Sequence, residues 1–136
     1  MKLLALISLL LMGAASPDLI QIPIKNHMTL YHLGGQKVTF VVCNKTMAKP
    51  LWEAMTCIGK LNESVDLVYH GCYNYRNIAG TQRLSRHATG TAIDLNAALG
   101  VPLRMAQCFE KAGFEWGGRW PHPKTDNMHF QLKERP

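Results

Sequence analysis

The chain is poor in acidic residues, has no closely spaced cysteine pair and contains a single long apolar run. That run, "LLALISLLLMGA", follows Lys2 and gives way to small residues at Ala14 and Ala15. This is the pattern of a secretory signal peptide over residues 1–15, with cleavage expected near Ala15. The run is shorter than the roughly 18 residues that span a bilayer, and nothing later approaches that length, so no permanent membrane span is expected after cleavage. A buried N-terminal helix would show a polar face, which the run lacks; an uncleaved signal anchor stays open. Asp and Glu number 9 against 15 Lys and Arg, a formal net charge of +6 that falls by one when the leader takes Lys2 with it. No Arg/Lys-rich helix or RNA-binding signature accompanies the charge, which argues against nucleic acid and for an anionic wall polymer or membrane surface. The same charge is also ordinary for the surface of a small domain.

Residues 16–136 suffice for one compact domain and not for two, and no internal repeat, low-complexity run or linker divides them. Cys43, Cys57, Cys72 and Cys108 all lie in the exported part. Their spacings match no zinc ribbon, so disulfides are expected in an oxidising compartment, in any of three pairings, with buried free thiols as the alternative.

Residues 28–42, "MTLYHLGGQKVTFVV", read as two β-rich runs joined at Gly34-Gly35, a hairpin. "KPLWEAMTCIGKLN" reads as a helix, with Pro50 in its first turn and Leu51, Met55 and Ile58 on one stripe. "VDLVYH" at 65–70 is a strand candidate, and 71–90 is a polar loop long enough to suggest a functional one. In "TAIDLN", residues 91–96, Thr91, Ile93 and Leu95 face one way and Ala92, Asp94 and Asn96 the other. Pro102 and Gly113 bracket a second helix, with Leu103, Ala106 and Phe109 as its apolar stripe. "FEWGG" and a loop precede "MHFQL", where Met128, Phe130 and Leu132 alternate with His129 and Gln131.

His87, Asp94 and His129 together make a familiar catalytic zinc set, two His and one carboxylate with a fourth position left to water. Gly90 permits a tight turn after His87, and Ala92 leaves room on the Asp94 face. Asp126, three residues before His129, is the candidate general base. Taken singly, each of these residues is as well read as structural. His27, His32, His70 and His122 form no pattern and read as surface or packing residues.

"SRHATGTAID" fits S-x-H-x-x-G-x-A-x-D and "DNMHF" fits D-x-x-H-F. Together they resemble the zinc peptidases of bacterial cell walls, the family of D-Ala-D-Ala carboxypeptidases and dipeptidases and of phage endolysins that cut L-alanyl-D-glutamate bonds. The resemblance spans about residues 72–132 and includes "CYNYR" and "GFEWGGRW". It implies His87, Asp94 and His129 as Zn²⁺ ligands, Asp126 as catalytic base, and Arg76 as partner of a substrate carboxylate or carbonyl. It also implies Ser85 as a hydroxyl beside the site, bonding substrate or a ligand. An Asp at the base position together with "FEWGG" resembles the L-alanyl-D-glutamate endopeptidase branch more than the D-Ala-D-Ala branch. Two features depart from the family pattern: the gap from Asp94 to Asp126 is short, and Arg119 stands where relatives often carry an acid.

The fold implied is α+β, a small antiparallel sheet with flanking helices, hedgehog/D,D-peptidase-like, with the metal site on the face away from the helices. The function implied is an exported, monomeric zinc metallopeptidase acting on the peptidoglycan stem peptide. The alternatives are a D-Ala-D-Ala carboxypeptidase or dipeptidase, and a wall-binding module that has kept the metal and lost catalysis. Trp116, Trp120 and Tyr73 are candidates for the groove, Trp116 reading better as core. A Cys72–Cys108 bridge would brace the long loop.

Overall fold

The structure, a computed structural model, describes residues 17–24, 28–61 and 66–134. The leader expected at residues 1–15 lies outside them. Seven strands and two helices follow in the order β1 (Leu19–Pro23), β2 (Leu30–Tyr31), β3 (Phe40–Asn44), α1 (Ala48–Gly59), β4 (Leu67–Gly71), β5 (Ala92–Leu95), α2 (Leu103–Lys111), β6 (Phe114–Trp116) and β7 (His129–Leu132). The architecture is α+β. Five strands form one sheet in the order β2-β4-β5-β7-β6, antiparallel except for the β2–β4 pair, while β1 and β3 pair separately. No described helix is long and apolar enough to cross a membrane.

The alternation in β5 and β7 decides which face does what. Ile93 stands opposite Phe130 in the antiparallel register, and both are fully buried on the helix side. There the Phe109 ring of α2 stacks on Phe130 with centroids 4.4 Å apart, Phe114 meets Phe109 edge-on, and Trp116 stacks parallel to Phe130. Trp116 therefore belongs to the core, as its alternation with Glu115 requires. The α1 stripe of Leu51, Ala54, Met55 and Ile58 is buried, and α1 is tied to α2 by the Cys57–Cys108 disulfide.

Three expectations are corrected. The turn at Gly34-Gly35 forms, with a bridge between Tyr31 and Lys37, but the second run does not continue the hairpin. Its residues from Phe40 onward pair with β1, leaving β2 to pair with β4, because Ile22, Val41 and Cys43 bury one side of that separate ribbon. In α2 the buried stripe is Met105, Ala106, Cys108 and Phe109 while Leu103 is exposed, since on a helix Leu103 falls outside the arc those four residues span. Cys72 bridges to Cys43 and not to Cys108, the Cα atoms lying 5.6 Å apart. That bond joins β3 to the start of the long loop.

Candidate active site

Asp94 on β5 and His129 on β7 stand directly opposite each other in the register, on the face away from Phe130. Strand pairing alone therefore brings two candidate ligands to one spot. His87 arrives from the long loop, on a short 3-10 turn spanning Arg86–Thr89. Ser85 caps that turn by accepting a hydrogen bond from the His87 N–H, and Gly90 ends it in the left-handed region at φ 70°. A Cβ on Gly90 would fall 2.7 Å from the Asn44 nitrogen, whose N–H bonds the Gly90 carbonyl, so only glycine lets the turn press against β3.

The three side chains are buried, each less than a tenth exposed, and offer ligand atoms that all lie within 4.8 Å of one another. His87 Nδ1 donates to the Cys72 carbonyl at 2.7 Å, which leaves Nε2 as a lone pair in the neutral ring. Nε2 lies 3.1 Å from Asp94 Oδ2 yet has no hydrogen-bond partner among the described residues. A lone pair facing a carboxylate oxygen is what a cation between them resolves. His129 Nδ1 lies 3.1 Å from Asp94 Oδ1. Both separations are close to the ~3.3 Å edge of a tetrahedron with metal bonds of about 2.0–2.1 Å, so the donor set fits zinc.

Electrostatics follow the same geometry. Burial opposes the ionised form of Asp94, but contacts with the two histidine rings, His129 foremost, outweigh it and lower the carboxyl to about 2. Burial likewise opposes a charged His129, while hydrogen bonds to Asp94 and Gln131 and the charges of Asp94 and Asp126 raise its pKa. Asp126 is thus near enough to act on His129 through charge. It is positioned by backbone: its N–H bonds the Gly117 carbonyl at 2.9 Å and its carbonyl accepts from the His129 N–H at 3.2 Å. A Cβ on Gly117 would collide with the Asp126 carbonyl oxygen, which gives the first glycine of "FEWGG" its reason.

Of the remaining sequence candidates, Ser85 is buried beside His87 and holds its backbone. Arg76 is exposed on the loop, its carbonyl accepting from the Ser85 N–H at 3.0 Å. Trp120 sits with its ring 5.3 Å from that of His129. Tyr73 lies instead along a groove between Phe40, Val42 and Tyr69. Arg119, at the position where an acid was expected, pairs with Glu110 and lies over the Trp116 ring. Two residues at the site carried no role in the sequence reading, Gln131 and Glu115. Gln131 shares the His129 face two residues on and bonds its Nε2 at 2.9 Å, and Glu115 stands opposite Gln131 on β6. The alternation of "HFQL" was the available signal.

No curated protein matches the chain. Among solved structures, the chain is similar to the crystal structure of Serratia marcescens L-Ala D-Glu endopeptidase ChiX, at 23% sequence identity and a TM-score of 0.47, over 67% of this chain and 80% of that one. The family model described as D-alanyl-D-alanine carboxypeptidase matches residues 79–132. That match agrees with the resemblance carried by the two motifs: residues 79–132, similar to the D-alanyl-D-alanine carboxypeptidase family, hold His87, Asp94, Asp126 and His129.

Proposed function

We propose that the chain is an exported zinc metallopeptidase that hydrolyses a peptide bond of the peptidoglycan stem, with L-Ala-D-Glu as its principal target. The buried convergence of His87, Asp94 and His129, with His87 Nε2 lacking a hydrogen-bond partner among the described residues, supports this reading. Two imidazoles and one carboxylate suit zinc better than calcium or magnesium, which take oxygen ligands. Both disulfides suit an oxidising compartment, in keeping with a leader at residues 1–15 and a single peptidase domain over 16–136.

A zinc ion held by His87 Nε2, Asp94 and His129 Nδ1 would supply a Lewis acid that acidifies water and polarises the scissile carbonyl. The Asp126 carboxylate takes the proton of the attacking water and passes it to the leaving amine. Arg76, free to reach outward from the rim, pairs with a substrate carboxylate or carbonyl. Ser85 acts at one remove, through the backbone of His87, with its own O–H left to donate to substrate or a ligand. Trp120 forms one wall and limits water on the His129 side.

The Asp at the base position and "FEWGG" favour L-Ala-D-Glu. The family description favours the second reading, D-Ala-D-Ala carboxypeptidase or dipeptidase. Digestion of peptidoglycan by the purified protein, with and without a chelator, separates them by product. New D-Glu amino termini that vanish on chelation and return with Zn²⁺ are expected; free D-Ala would move the chain to the second reading. Asp126→Asn is expected to lower turnover about 10²–10⁴-fold with fold and zinc retained. No product from folded, zinc-loaded protein on several wall types would leave an inactive wall-binding module.

A further inference from the structure

On the face that carries the metal ligands, one row of side chains crosses three strands. Ala92 of β5 stands opposite Gln131 of β7, and Gln131 stands opposite Glu115 of β6. Ala92 is small and fully buried, so the space on that side does not compete for the Gln131 amide. Gln131 instead bridges its two polar neighbours: Oε1 lies 2.9 Å from His129 Nε2 and Nε2 lies 3.3 Å from Glu115 Oε2. The other carboxylate oxygen, Glu115 Oε1, accepts from the Trp120 indole N–H at 2.8 Å, and Trp120 packs against the His129 ring.

The donor and acceptor roles from Trp120 to the Gln131 amide are forced from one end. An indole N–H can only donate, and an ionised carboxylate can only accept. Glu115 therefore requires the NH₂ of Gln131, which turns the amide oxygen toward His129. The amide oxygen in turn favours a proton on His129 Nε2, in competition with Asp94 Oδ1, which lies 3.1 Å from Nδ1; with the proton on Nε2 the neutral ring presents Nδ1 as a lone pair. We propose that Glu115 and Gln131 are positioning residues which, anchored by Trp120, fix His129 in the Nε2–H tautomer and so reserve Nδ1 for the metal. The proposal rests on the metal-site reading above only for the identity of what Nδ1 binds.

The isosteric variant Glu115→Gln tests the direction of the chain. Its amide oxygen still accepts from Trp120, and its NH₂ then faces Gln131. The Gln131 amide must flip, offer NH₂ to His129, and drive the proton to Nδ1. Exchanging the two residues, Glu115→Gln with Gln131→Glu, keeps the net charge and all three hydrogen bonds; the central one reverses, residue 115 now donating to residue 131, but Trp120 still donates and residue 131 still offers an oxygen to His129 Nε2. The tautomer is read from the His129 ring ¹⁵N shifts in metal-free protein, above the range where the imidazolium persists, and Zn²⁺ affinity is read by chelator competition. The wild type and the exchanged double variant are expected to show Nε2–H. Glu115→Gln is expected to show Nδ1–H and an affinity lower by about 10–100-fold. An unchanged tautomer in Glu115→Gln overturns the proposal, as does an exchanged variant no better than the single one. A wild type that takes up no Zn²⁺ would defeat the metal-site reading, while the tautomers would still decide this one.

Discussion

At the residue scale, a metal held at His129 would link proton and metal chemistry. The raised pKa of His129 means that, in metal-free protein, the charged ring favours the folded state. That contribution is fully present below the ordinary imidazole value of 6.5 and is lost as pH rises through the raised one. Asp94 acts at the other end: its contribution is present above the ordinary carboxyl value of 3.8 and is lost as pH falls through about 2. Zinc needs Nδ1 without a proton, so its stabilisation should grow over the same range in which the metal-free contribution declines. Thermal midpoints measured from about pH 4 to about pH 10, with chelator and with Zn²⁺, should diverge as pH rises. Parallel curves would contradict a shared site. The candidate ligands were legible in the sequence because all three fell on a motif, and Asp94 and His129 also on the polar face of an alternating strand. Gln131 was legible only as a face, and Glu115 not at all, because its role depends on which strand lies beside β7.

Elements carry the site through two close approaches. Gly117, at the end of β6, packs against the backbone of Asp126 and fixes where the candidate base begins. Gly117→Ala should displace Asp126 at a cost of about 1–3 kcal/mol in stability, seen as lower turnover with zinc affinity little changed. Turnover equal to the wild type would show that the approach does not position the base. On the other side, the carbonyl that holds His87 Nδ1 belongs to Cys72, which is bonded to Cys43 on β3. Replacing both cysteines by alanine should cost about 2–5 kcal/mol and weaken zinc binding, since the backbone carbonyl that orients the ring keeps its place in the chain but loses its tether to β3. Chelator competition on the folded variant checks it, and an unchanged affinity would make the bond a brace for the fold alone. Strand and helix identities were readable from periodicity, as in 91–96 and 50–60. The β1–β3 ribbon and the cysteine pairing were not, because both depend on contacts between segments far apart in sequence.

For the whole molecule, two disulfides and one aromatic core hold a small sheet whose second face is given over to a buried polar cluster. Buried charge of this kind is costly unless paired or bound to metal, and among the described residues the pairing is incomplete at His87 Nε2. The family model that residues 79–132 match and the geometry of the site thus point the same way. The most direct test is a titration of the metal-free chain with Zn²⁺, following bound metal and peptidoglycan hydrolysis together. One equivalent bound, with hydrolysis returning in proportion and both lost in Asp94→Ala, is the result predicted. Hydrolysis undiminished after complete metal removal, or no stoichiometric binding by the folded wild type, would contradict the account.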